Sequence, residues 1–275
     1  MTDLADAAFG DRPDLAITRT PADPRQQWLA AVVLGGQGRY AAAVTLLDRL
    51  RTHADPVLAA LASAALASHR RQLGGHADAR VLDAAGHARL AGLADTPAVA
   101  QARSDVLLGL AADAVGAARL GEARRLVAVA RRQEAGWRGA VRNDWVSAEI
   151  ELSAGRAEEA VRFAEPAAER AAAEGSVRHR IKSGMVLGAA LAARGTTGRA
   201  EEIVRRALAD ATDLGLLSLV WPGALIMAEL DATRADQFCR CAGIALHSVL
   251  RRADPVGRRL AERSPWVPRL AGPTG

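Results

Sequence analysis

The sequence is poor in aromatic residues, cysteine and lysine, and each shortage counts against a class of protein. Phe, Trp and Tyr together make up 3% of the 275 residues, which is few for a protein that stacks nucleic-acid bases on aromatic rings. Two cysteines, Cys239 and Cys241, do not form the disulfide framework of a small secreted domain and fit a reducing compartment. Lys182 is the only lysine, so almost all of the positive charge is arginine.

Sequence motifs of common enzymes and metal sites are also missing. The chain has no GxSxG elbow, Walker motif, GxGxxG fingerprint or kinase-like set. Cys239, Cys241 and His247 do not match a tetrahedral metal site, since residues two apart on a helix point about 200° apart. We therefore predict a protein that is not an enzyme and that needs no metal and no cofactor.

No stretch of the sequence has the pattern of a signal peptide or of a membrane span. The first residues are acidic where a signal peptide requires basic ones. The longest uncharged run, residues 214–228, is shorter than the roughly 20 residues of a spanning helix. We expect this run to be a buried helix and the protein to be cytoplasmic.

The charge that is present consists mostly of arginine interleaved with acidic residues. The formal net charge is +5 and the isoelectric point is near 10.3, a balance that favours acidic partners. Glu201 and Glu202 precede Arg205 and Arg206 by four residues each, which is the pattern of a solvated helix face. We expect a protein or peptide partner, and the positive charge favours an acidic one. Nucleic acid is the weaker alternative as a partner.

The residues that are abundant favour helix. Alanine is about a quarter of the chain, while β-branched and aromatic residues are sparse. Four helix starts are marked by a capping side chain followed by proline at the first helical position. They are Asp23-Pro24, Asp55-Pro56, Thr96-Pro97 and Asp254-Pro255.

A repeated pair of small or apolar residues marks five helical hairpins. In each copy the first residue lies late in one helix and the second lies twelve residues later, beyond a turn, so that the two helices cross closely. The pairs are Ala31 with Ala43, Ala67 with Ala79, Ala111 with Ala123, Ala148 with Ala160, and Leu191 with Ile203. Intervals of 36, 44, 37 and 43 residues separate successive copies, within the range of helical solenoid repeats.

This pattern resembles the tetratricopeptide-repeat (TPR) family, which has a small residue late in the first helix, a Gly-x-aromatic turn, and an alanine three residues later. Residues 28–50 and 145–167 carry the resemblance best, and it covers about residues 24–212. We therefore predict an all-α fold, a right-handed α-solenoid of about five to six helical hairpins.

The predicted helix starts and the Pro-rich C-terminal residues divide the chain into three parts. We predict a flexible N-terminal arm at residues 1–21, a TPR-like helical repeat domain at 22–252, and a C-terminal helix with a Pro-rich tail at 253–275. The predicted hairpins are 24–36 with 40–53, 56–73 with 76–92, 97–116 with 119–135, 137–154 with 157–174, 177–194 with 198–213, and a capping pair 216–230 with 232–252.

In the TPR family the first helix of each hairpin lines the concave face, and this implies a set of partner-binding candidates. They are Arg25, Trp28, Arg71, Arg142, Trp145 and Glu149. The two Trp residues are possible anchors and the arginines would pair with acidic groups of the ligand, because Trp and Arg dominate binding energies. Core positions for Trp28 and Trp145 are an equal alternative. The inserted Thr196-Thr197 leaves the fifth hairpin without an assignment.

The resemblance implies a protein–protein interaction or regulatory scaffold that binds a protein or peptide segment in its concave groove. One alternative is a nucleic-acid-binding helical repeat. Another is a ligand-sensing regulatory domain that acts through another chain. In the tail, we expect Trp266 to fold back onto the final helices, with a linear motif for a partner as the alternative.

Overall fold

The computed structural model describes residues 4–269, and this part of the chain is helical, with no strand. The N- and C-terminal ends of the predicted arm and tail, residues 1–3 and 270–275, lie outside the described residues. In chain order the helices are α1 (Leu4–Phe9), α2 (Pro24–Gly36), α3 (Tyr40–Leu50), α4 (Pro56–Gln72), α5 (His76–Arg89), α6 (Pro97–Gly116), α7 (Leu120–Arg131), α8 (Gly136–Ser153), α9 (Ala157–Ala173), α10 (Val177–Ala193), α11 (Thr197–Asp213), α12 (Leu217–Leu230), α13 (Ala235–Arg251) and α14 (Pro255–Arg263).

Helices α2 to α13 form six antiparallel hairpins, which confirms the predicted helical repeat solenoid. The four predicted starts are confirmed as well, because each capping side chain accepts a hydrogen bond from a backbone N–H of the first turn. Asp23 accepts from Gln26 N at 2.8 Å, for example. A proline at the first helical position removes an N–H that would have no helical partner.

Small residues bring the two helices of each hairpin together. The predicted alanine pairs of the first four hairpins, Ala31 with Ala43 through Ala148 with Ala160, are fully buried. In the fifth hairpin the pair Leu191 with Ile203 is wrong. Ala200 is fully buried, and a Cβ on Gly188, twelve residues earlier, would lie 2.1 Å from Val204 Cγ2. Gly188 and Ala200 therefore form the crossing, because Thr197 begins α11 one residue before the predicted start.

The last hairpin packs against the first, so the two ends of the array meet. Ser218 Oγ of α12 donates a hydrogen bond to Gly36 O of α2 at 2.7 Å. Ala41 N donates to Arg252 O at 2.7 Å. Helix α14 then reaches α4, where the Arg70 guanidinium binds both Asp254 carboxylate oxygens at 2.5 and 3.0 Å. The first helix of each hairpin faces the enclosed side, and we call α2, α4, α6, α8, α10 and α12 the inner helices.

Both terminal segments also pack on the array. Within the predicted arm, α1 lies against α2 and α10, Ala7 and Ala8 are buried, and Val177 N donates to Gly10 O at 3.1 Å. In the tail, Val267 is buried while Trp266 is 60% exposed. The expectation that Trp266 folds back onto the final helices is therefore wrong, because its indole lies beside His76 of α5, with ring centroids 6.1 Å apart. The neighbouring Val267 is the tail residue that is buried.

Candidate functional site

The inner helices surround a concave cavity of about 580 Å³. Its wall is built mainly from the side chains of the inner helices, and Phe9 of α1 and Trp266 of the tail contribute at its edges. Five basic side chains line it, against two carboxylates, without counting histidines. The basic residues are Arg71, Arg138, Arg142, Arg178 and Lys182, and the acidic residues are Asp105 and Glu149.

Trp28 and Trp145 lie on the cavity wall and are also buried, at 3% and 6% exposure. The Trp28 indole N–H donates to Leu61 O at 3.2 Å, and Phe9 packs beside the ring with centroids 5.6 Å apart. The Trp145 indole N–H donates to Ser183 Oγ at 2.8 Å. The alternatives of groove and core are therefore not exclusive, since both residues are buried in the stack and also belong to the cavity wall.

His179 links the aromatic side chains on the α8 and α10 side. Its ring stacks on Trp145 with centroids 5.4 Å apart and meets Trp137 edge-on at 5.0 Å. Its Nδ1 is 2.8 Å from Ser176 Oγ. Burial, together with the nearby charges of Arg178 and Arg138, holds the His179 pKa well below its ordinary value. The ring is therefore neutral near pH 7 and acts as an aromatic support for Trp145.

Arg71 binds two buried carboxylates that belong to this chain. Its Nε donates to Asp113 Oδ1 at 2.8 Å and its Nη2 donates to Asp83 Oδ2 at 2.6 Å. His76 Nδ1 lies 3.1 Å from Asp113 Oδ1. Burial lowers the pKa of Arg71, but the two carboxylates outweigh this effect and raise it above its ordinary value. The expected pairing of Arg71 with a ligand is thus replaced by an internal network that joins α4, α5 and α6.

Asp83 is the weakly satisfied member of the Arg71 network. The residue is fully buried, and its Oδ1 has no hydrogen-bond partner among the described residues. Burial and the nearby charge of Asp113 raise its pKa to about 8, although the charge of Arg71 opposes the shift. One guanidinium facing two buried carboxylates leaves one negative charge over, so protonation of Asp83 is the physical result.

Arg142 shares a single carboxylate with Arg138. Asp105 accepts a hydrogen bond from Arg142 Nη1 and another, at 2.5 Å, from Arg138 Nη2. Gln101 Nε2 donates to the same carboxylate at 3.1 Å. Burial lowers the pKa of Arg142, Asp105 opposes the shift, and Arg138 adds to it. Arg142 is therefore also paired within the chain, but it shares the single negative charge of Asp105 with Arg138.

Arg25 and Glu149 complete the predicted set. The Arg25 guanidinium lies 4.4 Å from the Trp28 ring centroid, and Arg25 is the one predicted residue that does not line the cavity. Glu149 does line it, and its carboxylate is 3.9 Å from Lys182 Nζ. The same ammonium group lies 4.7 Å from the Trp145 ring centroid, so it is held by a cation–π contact and a loose ion pair.

Arg178 carries a charge that its surroundings do not neutralise. No carboxylate among residues 4–269 pairs with it, its Nε is buried without a partner, and its Nη2 donates to Ala8 O at 3.4 Å. Burial, together with the charges of Arg138 and Arg142, lowers its pKa to about 10. The side chain remains positive near pH 7, since that value lies well above neutrality.

No family model matches this chain, and no curated protein matches it. A solved structure of similar fold is aspartyl phosphate phosphatase F from Bacillus subtilis. The alignment covers 89% of this chain and 69% of that protein, with a TM-score of 0.51 and 11% sequence identity. At this identity the likeness shows a common helical-repeat fold.

Several cavity residues escaped prediction because the register of the fifth hairpin was unassigned. With Gly188 as its small residue, Lys182 lies six positions before it, as Arg25 and Arg142 lie six before Ala31 and Ala148. Arg178 lies ten before Gly188, as Arg138 lies ten before Ala148. The repeat offsets alone therefore identify these basic residues, once the crossing residue is known.

Residues 4–269 contain neither a candidate metal site nor a candidate membrane span. No cluster of three His, Cys, Asp or Glu side chains has the arrangement of a metal site within this range. None of the helices in the same range combines the length and the hydropathy that a membrane crossing requires.

Proposed function

We propose that this protein is a cytoplasmic regulatory scaffold, without catalytic activity of its own, that binds a short protein or peptide segment in its concave cavity. The observation that carries the proposal is the cavity itself, where two Trp residues and five basic side chains converge from separate hairpins. Trp and Arg at the centre of a concave surface are the typical anchors of a binding site.

The size of the cavity favours a short ligand over a long helix or a whole domain. A volume of about 580 Å³ lies within the range of small-ligand sites, about 300–1,000 Å³. The contacts of α12 with α2, and of α14 with α4, close the groove that an open solenoid would offer. The same observation supports a second candidate, a ligand-sensing regulator that acts through another chain.

The outer arginines favour a solvated surface over a nucleic-acid interface. Many of them are paired with carboxylates of neighbouring helices. Such pairs are Arg80 with Glu122, Arg124 with Glu151, Arg170 with Asp144, and Arg199 with Glu165. A nucleic-acid-binding surface would leave such cations free for phosphate contacts.

The fold is similar to that of an aspartyl phosphate phosphatase, so the enzymatic alternative is hydrolysis of an aspartyl phosphate. We favour a non-enzymatic role because two of the cavity groups suited to acid–base chemistry are already engaged. Asp105 is bound by two arginines, and the His179 ring stacks on Trp145 and meets Trp137 edge-on. Release of phosphate from a protein-bound aspartyl phosphate by the purified chain would contradict this part of the proposal.

A cavity-filling variant tests the proposed site. Ala112→Trp puts an indole into the cavity wall, and the matched control Ala128→Trp puts the same group on the exposed face of α7. Affinity capture from the native cytoplasm, with mass spectrometry, should recover a partner with the wild-type protein and with Ala128→Trp. We expect Ala112→Trp to lose that partner while its thermal unfolding remains cooperative. Equal recovery by both variants would overturn the cavity as the binding site.

A further inference from the structure

We propose that the α10 side of the cavity is an anion-binding subsite, in which Arg178, supported by Arg142 and Lys182, binds a carboxylate or phosphate group of the ligand. This inference rests on the proposed function, because it names the chemistry of the ligand that the cavity would take.

Arg178 lies where three helices meet on the cavity wall. Its side chain passes over Gly36 of α2, where a Cβ would lie 3.2 Å from Arg178 Cδ. The guanidinium therefore lies between α1, α2 and α10 on the cavity wall. A buried cation without a counter-charge is costly, and a guanidinium without its full set of acceptors adds to that cost. A bound anion would supply both the missing counter-charge and the missing hydrogen-bond acceptors.

The carboxylates near Arg178 are taken up by other basic side chains, so they do not neutralise its charge. Arg138 and Arg142 share the single carboxylate of Asp105. Among residues 4–269, the one carboxylate that pairs with Lys182 is that of Glu149, at 3.9 Å. Across the cavity, Arg71 is already bound by two carboxylates. The uncompensated positive charge is thus concentrated on the side formed by α8 and α10.

The groups present define the chemistry of the ligand. A guanidinium presents paired N–H donors that match the two oxygens of a carboxylate or phosphate. The Trp145 ring beside Lys182 offers an apolar contact next to the charge. The volume of about 580 Å³ restricts the ligand to a small organic anion or to the acidic end of a short peptide. Either source has the same anionic group, and this group is what the subsite would recognise.

Two simple anions test the subsite without any knowledge of the partner. Thermal unfolding of the full chain is followed while inorganic phosphate or succinate is titrated in, with sodium chloride adjusted to hold the ionic strength constant. The variant is Arg178→Gln, and the matched control is Arg180→Gln. Arg180 lies on the same helix as Arg178, and its substitution removes the same charge from an exposed ion pair with Asp210. Lys182→Gln and the charge-preserving Arg178→Lys serve as second variants.

For the wild-type protein we expect a saturable rise of Tm with at least one of the two anions. Arg178→Gln should weaken that response at least tenfold in apparent Kd, Lys182→Gln by a smaller factor, and Arg180→Gln by less than twofold. In the absence of anion, Arg178→Gln should unfold at a temperature equal to or above that of the wild-type protein, because a buried unpaired charge has been removed. Should Arg178→Gln fail to fold, Arg178→Lys and Lys182→Gln supply the comparison.

A response to phosphate alone or to succinate alone supports the subsite and identifies the anion that it prefers. The absence of a saturable response to both, or an unchanged response in Arg178→Gln, overturns it. Anion binding that depends on Arg178, combined with equal partner recovery by Ala112→Trp, would refute the proposed function and leave the subsite standing. Loss of the partner by Ala112→Trp without any anion response would refute the subsite and support the proposed function.

Discussion

Arg71 and Arg178 lie on the wall of the same cavity but differ in what neutralises them. Arg71 donates three hydrogen bonds to two carboxylates that come from α5 and α6. Within the part of the chain that the structure describes, Arg178 donates one long hydrogen bond to a backbone carbonyl and has a buried Nε without a partner. The comparison shows that neighbouring helices can supply the counter-charge of an arginine on a concave surface, as they do for Arg71. Where they do not, as for Arg178, we propose that the arginine is available to a ligand.

Neutral substitutions of the two arginines should therefore have opposite consequences, and this is the largest effect that we predict. Arg71→Met leaves Asp83 and Asp113 buried without their cation, so the free energy of unfolding should fall by about 3–5 kcal/mol. Arg178→Met removes an unpaired charge, so it should change the free energy of unfolding by less than about 1 kcal/mol, or increase it. Urea denaturation of both variants measures this difference. Equal destabilisation would show that Arg178 is as structural as Arg71.

The Arg71 network should also give stability a particular dependence on pH. The folded pKa of Asp83 is raised to about 8 from an ordinary value of 3.8, so the folded state holds a proton that the unfolded state has lost between these values. Stability from this group is fully present at low pH and is lost as pH rises through the window, at about 1.4 kcal/mol per pH unit.

Asp83→Asn removes that titration, so the difference in unfolding free energy between the variant and the wild-type protein should grow in favour of the variant by about 2 kcal/mol from pH 6.5 to 8. Because His179 and His69 titrate alike in both proteins, their contributions cancel in the difference. Chemical denaturation at a series of pH values measures it. Parallel pH profiles would show that Asp83 is ionised throughout.

The crossing of α10 and α11 holds the Arg178 side of the cavity and can be disturbed without touching the Arg71 side. Gly188→Ala puts a Cβ 2.1 Å from Val204 Cγ2, and the overpacking should cost about 1–3 kcal/mol. The control Gly198→Ala meets nothing within 4 Å and should stay within about 0.5 kcal/mol of the wild-type protein. If both variants had the stability of the wild-type protein, Gly188 would not be the crossing residue.

The smallest expected effect concerns the support of Trp145. Ser183→Ala removes the acceptor of its indole N–H, a bond of 2.8 Å in a buried setting. The loss of one such bond costs about 0.5–1.5 kcal/mol. Ser248→Ala is the control, since that hydroxyl is exposed and bonds only to Ile244 O of its own helix. Differential scanning calorimetry of the two variants gives the comparison, and equal Tm values would refute a supporting role for Ser183.

Much of the fold could be predicted from the sequence because its signals are local. A capping side chain before proline fixes where a helix begins, and paired small residues twelve positions apart fix how two helices cross. Both signals act within one hairpin, so they predict the five pairs of helices from α2 to α11. The pair α12 with α13 carries neither signal and is expected only as the cap of the array. The fifth register failed for an equally local reason, since Thr197 belongs to α11 rather than to the turn.

The remaining features depend on contacts between distant residues, for which the sequence has no local signal. Helix α1 has only six residues and is buried through Ala7 and Ala8 against other helices. The closure of the array joins Ser218 to Gly36 across 182 positions. For the site, repeat offsets led to Trp28, Arg71, Arg142, Trp145 and Glu149 on the cavity wall. They could not reveal which arginines already have counter-charges, because Asp113 lies 42 positions from Arg71.

The five Trp residues of the chain allow the most direct test of the cavity as the binding site. In a protein labelled with ¹⁵N-tryptophan, each indole N–H gives one NMR signal, assigned by Trp→Phe variants. Trp28 and Trp145 line the cavity, whereas Trp221 does not. Addition of the captured partner segment should shift the signals of Trp28 and Trp145 and leave that of Trp221 unchanged. Unshifted signals of Trp28 and Trp145 under saturating partner would contradict binding in the cavity.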